Sequence, residues 1–350
     1  MSSPVAFDLM DSPDGAVLVW GAPHTQRGGL RAVALDPLGS ARGTDVDVVH
    51  DDAARARAAS QPIVEEVSLA RSGATLGVSW VERGASSRVH AALTSRDVER
   101  FGNVLDLGET EVVDLTHIPR GRTLLSVIED GTIIASHRVL NGPCSSTLVG
   151  PWCAHVARTR LNAALDPARR DDPMEVPSPC PSLLAGATFT SGTWFYGVCQ
   201  ASPAMHTTVY AIRPAISFAA ATEVMNGCST EGLLALGDQA LVIGRCGDSM
   251  QANVLDGTGS LTQRIDAFTS TVACIGGRPD ITLEGGGNHV SIPLRGPRSG
   301  LASTLPTRIA PEGARAVWTG SVLLVASATG AEVTTHRFEC REGNFVRTDS

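Results

Sequence analysis

The chain has 350 residues, a net charge of −8, 43% hydrophobic and 18% charged residues. That is enough apolar material for a large core, and the acidic balance argues against nucleic acid or an anionic membrane surface as partner. All 28 basic residues are Arg, which excludes Schiff-base and other lysine chemistry, and no run approaches the ~18 apolar residues of a membrane span.

In chain order, short runs rich in Val, Ile, Leu and Thr alternate with Gly, Pro, Asp and Ser. They group in fours. The first group has strands near 5–9, 16–20, 30–35 and 46–50. The second has 66–70, 75–81, 88–93 and 103–107. The third has 112–117, 123–128 and 132–140, with 161–165 as a possible fourth. The fourth has 183–189, 194–199, 207–212 and 220–225. The fifth has 231–236, 240–245, 251–255 and 262–266. The sixth, the weakest, has 271–275, 280–283, 289–294 and 301–305. The seventh has 314–318, 322–326, 332–338 and 344–347. Gly15, Gly73, Gly121, Gly192, Gly237 and Gly320 sit before or at second strands, where hairpins favour glycine. The one helix-like stretch is short, at 53–59.

One turn occurs twice. Leu35-Asp36-Pro37-Leu38-Gly39-Ser40-Ala41 and Leu255-Asp256-Gly257-Thr258-Gly259-Ser260-Leu261 each lie between two strands. Seven units of about 50 residues have the size of propeller blades. The expectation is an all-β chain, a seven-bladed β-propeller of four-stranded antiparallel blades forming a single domain over residues 1–350. Ser12-Pro13-Asp14-Gly15 followed by Trp20 resembles the turn of WD40-like and TolB-like propellers. The Gly-His and Trp-Asp signatures of WD40 repeats and the kelch double glycine are absent. The resemblance covers about ten residues and implies fold only.

The rhythm breaks between 141 and 182. This Pro-rich polar stretch reads as an insertion in the third blade, holding Cys144, Trp152, Cys153, Arg169 and Arg170. Long insertions are usually functional or disordered. Trp20, Trp80, Trp194 and Trp318 fall in expected strands and read as core. Trp152 falls outside one, so Trp152, Arg169 and Arg170 are the candidate binding residues.

The eight cysteines follow the repeat. Cys180 and Cys199 flank one expected hairpin, Cys228 and Cys246 another. In the second, the midpoint falls on the turn at Gly237, which sets the pair opposite one another and within disulfide reach. Cys144 and Cys153 would close a local loop. Cys274 and Cys340 are left without a geometric argument. Without Cys-x-x-Cys pairs, zinc is disfavoured. Bridges imply an oxidising compartment. Met1-Ser2-Ser3-Pro4 lacks a signal-peptide pattern, so the expectation is a mature extracellular, periplasmic or cell-surface chain.

Other motifs carry less. Cys246-Gly247-Asp248-Ser249 resembles the nucleophile segment of trypsin-like proteases, but Met250 and Gln251 stand where glycines should follow, and the stretch reads as a hairpin turn. Asp45, Asp47, His50, Asp51 and Asp52 are acidic without cation-loop spacing, as are Asp8, Asp11 and Asp14. His90, His137, His206, His289 and His336 fall on third strands and should not converge on a metal. No cofactor, catalytic residue or metal ligand is assigned. The reading is a non-catalytic binding or scaffold module contacting a protein through loops. A glycan partner is weaker with 4% aromatics. The alternative is a propeller hydrolase or lyase with carboxylates at the central channel.

Overall fold

A computed structural model describes residues 5–22, 29–48, 63–84, 86–95, 98, 101–110, 122–127, 131–143, 152–161, 170–177, 182–189, 192–201, 206–212 and 222–348. The described chain is all-β, in seven antiparallel sheets, six with four strands and one with three. Each sheet is a meander of consecutive strands. Sheet 1 is β1 (Phe7–Ser12), β2 (Gly15–Ala22), β3 (Gly29–Leu35) and β4 (Val46–Asp47). Sheet 2 is β5 (Ile63–Ser72), β6 (Thr75–Arg83), β7 (Ser87–Ser95) and β8 (Leu105–Thr110). Sheet 3 is β9 (Thr123–Val127), β10 (Ile133–Pro143), β11 (Trp152–Leu161) and β12 (Arg170–Pro177). Sheet 4 is β13 (Ser182–Phe189), β14 (Gly192–Ala201), β15 (His206–Ile212) and β16 (Thr222–Asn226). Sheet 5 is β17 (Ser229–Leu236), β18 (Gln239–Cys246), β19 (Ser249–Leu255) and β20 (Leu261–Ile265). Sheet 6 is β21 (Thr269–Ile275), β22 (Arg278–Gly285) and β23 (Asn288–Pro293). Sheet 7 is β24 (Arg315–Trp318), β25 (Leu323–Thr329), β26 (Glu332–Arg341) and β27 (Asn344–Arg347). No helix among the described residues is long and apolar enough to cross a membrane.

The repeated turn is the same structure twice. Asp36 Oδ1 accepts the N–H of Leu38 (2.9 Å) and of Ser40 (2.8 Å), and Asp36 N donates to Ser40 O at 2.8 Å. Asp256 Oδ1 accepts Thr258 N (2.8 Å) and Ser260 N (3.0 Å), and Asp256 N donates to Ser260 O at 3.0 Å. Gly39 and Gly259 both have φ of 86°, a left-handed conformation that favours glycine. Each turn joins the third and fourth strands of its sheet.

Neighbouring sheets share cores. Val17 and Val19 of sheet 1 pack with Leu69 and Trp80 of sheet 2. Leu93 of sheet 2 packs with Leu125 and Ile133 of sheet 3. β9 of sheet 3 contacts β13 of sheet 4, and Val224 and Met225 of sheet 4 pack with Ala240 and Val242 of sheet 5. Sheets 5, 6 and 7 share one cluster. Phe7 and Leu9 of sheet 1 pack with Val317 and Leu324 of sheet 7, so the last sheet meets the first. First strands touch first strands in the order β24, β1, β5, β9, β13, β17.

Between β17 and β24 the first-strand position is filled differently. Segment 296–310 lies there, with a 3-10 turn at Ala302–Thr304 that contacts both strands. Arg298 and Trp318 exchange backbone hydrogen bonds of 2.9 and 2.8 Å, and Leu301 N donates to Ala316 O at 3.2 Å. A side chain at Gly232 would place its Cβ 2.0 Å from Ser303 Oγ, so the segment seats against bare backbone.

Two departures from the sequence reading follow. The strand expected at 301–305 is this 3-10 turn, and sheet 6 has no fourth strand among the described residues. Within the stretch 141–182, where the sequence reading placed one strand, the described residues 141–143, 152–161 and 170–177 are all in strands. β11 and β12 within it are the outer pair of sheet 3; of the expected strand at 161–165, Leu161 ends β11 and 162–165 lie outside the described residues. Arg and Pro content hid strands whose register is set by pairing, β11 with β10 and β12 with β11. The expected strand at 112–117 and the helix-like stretch at 53–59 lie outside the described residues.

Cys228 and Cys246 are bridged, with Cα atoms 4.1 Å apart. A bulge between Thr230 and Gly232 sets this up. Beyond the bulge Ser229 faces Arg245, so Cys228 faces Cys246. Without the extra residue it would face Gly247 and lie one position out of register. Cys274 and Cys340 are bridged as well, joining β21 to β26 across two sheets with Cα atoms 5.5 Å apart. Cys144 and Cys180 lie outside the described residues; of Cys153 and Cys199 only the backbone is described, on β11 and β14.

Candidate functional site

The first strands carry polar or charged residues at matching heights. Asp8 faces Val19, Ser68 faces Ser79 and Arg315 faces Ala326, each pair eleven residues apart across its hairpin. These three positions are therefore equivalent in sheets 1, 2 and 7. Arg315 Nε lies 3.3 Å from Asp8 Oδ1. Asp8 Oδ2 accepts Leu69 N at 3.0 Å, and Ser68 Oγ accepts Leu125 N at 3.0 Å. One register position thus clasps β24 to β1, β1 to β5 and β5 to β9. Burial pushes the Asp8 carboxyl above the usual range, against the opposing pull of Arg315 and the amides of Leu9 and Leu69.

A second level lies nearer the hairpin turns. Asp11 faces Ala16, Arg71 faces Leu76 and Trp318 faces Leu323, each five residues apart. Arg71 Nη2 lies 2.9 Å from Asp11 Oδ2. Ser299 Oγ accepts Asp11 N at 2.8 Å and donates to Asp11 Oδ1. Arg298 adjoins Ser299; burial depresses its pKa against the attraction of Asp11. Arg298 Nη1 and Arg71 Nε are buried with no hydrogen-bond partner.

A third group joins sheets 2 and 3. Arg122 Nη2 lies 2.7 Å from Glu65 Oε2, and Arg122 Nε lies 2.6 Å from Glu66 Oε1. Arg83 Nε lies 2.9 Å from Glu65 Oε1. Burial pulls the Arg122 pKa down, but the two carboxylates together hold it above its ordinary value. A buried cation between two carboxylates is an inter-sheet fastener.

The residues singled out in the sequence are placed as follows. Trp152 opens β11 and Arg170 opens β12, so Trp152 lies in a strand after all. Arg169 lies outside the described residues. Asp45 and Asp47 are bridged by Arg31 at 2.7 and 3.2 Å, so an internal cation serves this acidic pair. Among the described residues no three His, Cys, Asp or Glu cluster in metal-binding geometry. His90 stacks on Trp80 at 5.5 Å and lies 3.6 Å from Glu82. His137 is buried, and His336 Nδ1 lies 2.7 Å from Arg347 Nη2. Cys246-Gly247-Asp248-Ser249 is a hairpin turn whose cysteine is in a disulfide and whose Ser249 Oγ donates to Cys246 O at 3.1 Å.

Sequence reading passed over Arg71, Arg122, Arg298, Arg315, Ser68 and Ser299. A signal existed for part of this set. Aligning the hairpins at Pro13, Gly73 and Gly320 puts Arg315, Asp8 and Ser68 in one column, and Asp11 and Arg71 in another. Arg298 and Ser299 had no such signal, because they come from the segment that replaces a strand.

No protein-family model matches the chain, and no curated protein matches it in sequence. Among solved structures it is similar to a putative 6-phosphogluconolactonase from Bacteroides uniformis, with TM-score 0.51 and 13% identity over 99% of this chain and 95% of that one. The β-propeller domain of the Trilobed protease from Pyrococcus furiosus matches with TM-score 0.47 and 9% identity, covering 100% of this chain and 97% of that one. A Trypanosoma rangeli sialidase matches with TM-score 0.43 and 8% identity over 83% of this chain; the chain spans 54% of the sialidase's length. At these identities the likeness speaks to fold alone.

Proposed function

We propose that the chain is a seven-bladed β-propeller with a reduced sixth blade, serving as a non-catalytic binding module of an exported or cell-surface assembly. Support for the blade count comes from seven sheets whose first strands touch in order, with segment 296–310 standing in for one of them. Support for export comes from the Cys228–Cys246 and Cys274–Cys340 bridges, since such bonds persist in oxidising compartments.

The observation that carries the non-catalytic reading is the use made of the inner carboxylates. Asp8, Asp11, Glu65 and Glu66 each engage an Arg from outside their own strand. A hydrolase or lyase would need carboxylates turned to substrate, with environments that separate an acid from a base. Here they fasten sheets. The partner surface we favour is the outer pair of sheet 3, where Trp152 opens β11 and Arg169-Arg170 lead into β12.

The test is a pull-down from the native extracellular fraction with wild type and with Trp152→Ala/Arg169→Ala/Arg170→Ala. Loss of a protein partner at an unchanged melting temperature supports the reading. Identical partners at identical strength would remove this surface. Hydrolysis of a glycoside or ester panel, abolished by Asp11→Asn, would instead favour the enzymatic alternative.

A further inference from the structure

We infer that the second level of the inner strands, between Arg71 and Arg298, is a binding site for a carboxylate group of a small molecule. Asp11 pairs with Arg71, whose Nη2 contacts it at 2.9 Å, and its charge also acts on Arg298, the neighbour of the Ser299 that hydrogen-bonds to Asp11. One carboxylate against two cations leaves an excess of one positive charge, in a chain whose net charge is −8.

Hydrogen-bonding capacity points the same way. The Asp11 oxygens are taken by Arg71 and by Ser299 Oγ. Arg71 Nη1 donates to Gly73 O at 3.3 Å, and its Nε has no acceptor. Arg298 Nη1 has none either, and among the described residues Arg298 forms no ion pair. A buried N–H of a charged group left without an acceptor is costly, so an arriving acceptor gains what the protein does not supply. The Arg71 side chain and the Arg298 backbone are held in place beforehand. Arg298 backbone is locked to Trp318 by two hydrogen bonds, and Arg71 is fixed by Asp11. Binding therefore costs little ordering of the site.

Charge count and geometry select the class. An excess of one positive charge matches a single carboxylate and leaves a dianionic phosphate under-neutralised. Guanidinium forks match planar carboxylates bidentately. The site sits where the strand repeat is interrupted by segment 296–310, which brings in both Arg298 and Ser299. It is separate from the sheet 3 surface proposed for a protein partner.

The experiment uses full-length protein with 15N-labelled arginine, titrated with acetate and, separately, with inorganic phosphate at constant ionic strength. The expected result is a saturable shift of the Arg71 and Arg298 Nε–Hε resonances with acetate. Arg298→Gln should weaken it about tenfold, the scale of one charge-assisted hydrogen bond. Its melting temperature should stay near wild type, because Arg298 has no carboxylate of its own. Should the Gln variant fail to fold, Arg298→Lys keeps the charge, loses the fork and should still weaken acetate. No saturable shift, an unchanged affinity in a folded variant, or tighter binding of phosphate than acetate would each overturn the inference.

Discussion

Sheets 5 and 6 are adjacent in the chain and built from similar residues, yet they solve different problems. In β18 five consecutive residues, Ala240 to Gly244, are buried, so both faces of that strand are covered by neighbouring sheets. In β21 exposed and half-buried residues alternate, with Thr271, Ala273 and Ile275 outward and Val272 and Cys274 inward. β23 repeats this, with Ile292 buried between exposed Ser291 and Pro293. Sheet 6 therefore has one buried face and one open to solvent, while sheet 5 is packed on two. The cause is local: segment 296–310 takes the inner place, and sheet 6 lies over the shared core of sheets 5, 6 and 7. A position in the repeat does not by itself give two packed faces.

The comparison breaks most readily with a charge. Val242→Asp in β18 puts a carboxylate where exposure is 0%. Burying it unpaired costs several kcal/mol, so the variant should be largely unfolded by circular dichroism. Thr271→Asp in β21 should stay within about 0.5 kcal/mol of wild type in urea titration, because that face is wet. Equal losses would mean that sheet 6 is covered on both sides.

The bridges sharpen the contrast. Cys274–Cys340 spans 66 residues and ties sheet 6 to sheet 7. In the chain-entropy model its loss costs about 4 kcal/mol, against about 3 kcal/mol for the 18-residue span of Cys228–Cys246. Cys274→Ser/Cys340→Ser should therefore lower the denaturant midpoint more than Cys228→Ser/Cys246→Ser. Hydrogen exchange should also show protection lost first in 269–293. Uniform loss across the seven sheets would contradict a separately held sheet 6.

The turn glycines give a smaller effect. Gly39→Ala forces a left-handed backbone on a residue whose Cβ would meet Leu324 Cδ2 at 2.5 Å. A loss of about 1–2 kcal/mol is expected, read as a lowered melting temperature. Gly247→Ala, with positive φ but open space, should lose less.

Smallest are the pH effects, and two carboxylates should differ in sign. Asp256 is held below its ordinary range by the Thr258 hydroxyl and the turn amides. Its contribution is complete above the unfolded carboxylate pKa and is lost as pH falls through the lower folded value, so Asp256→Asn should flatten the acid limb of stability against pH. Asp8 is raised by burial. Its folded form binds a proton first, so stability gains from it as pH falls from the folded toward the unfolded value. Asp8→Asn should therefore steepen the acid loss. Identical profiles for the two variants would rule out the opposite environments assigned to them.

Much of the fold was legible because the turn chemistry is local. Asp36 and Asp256 build the same loop from the same five-residue pattern, and nothing distant is needed to specify it. The Cys228–Cys246 bridge was legible for the same reason, since hairpin register is short-range and only one bulge modifies it. β11 and β12 were missed because Trp152–Leu161 and Arg170–Pro177 look polar and irregular alone and become strands through pairing, β11 with β10 and β12 with β11.

The sequence alone determined an all-β meander, the repeating hairpins and their turns, because strand alternation and turn residues act over a few positions. Tertiary structure alone decided which strand occupies the inner place between sheets 5 and 7, which cysteine meets Cys274, and which guanidiniums surround Asp11. Those outcomes join residues 60 and 288 positions apart, and only packing of whole sheets brings them together.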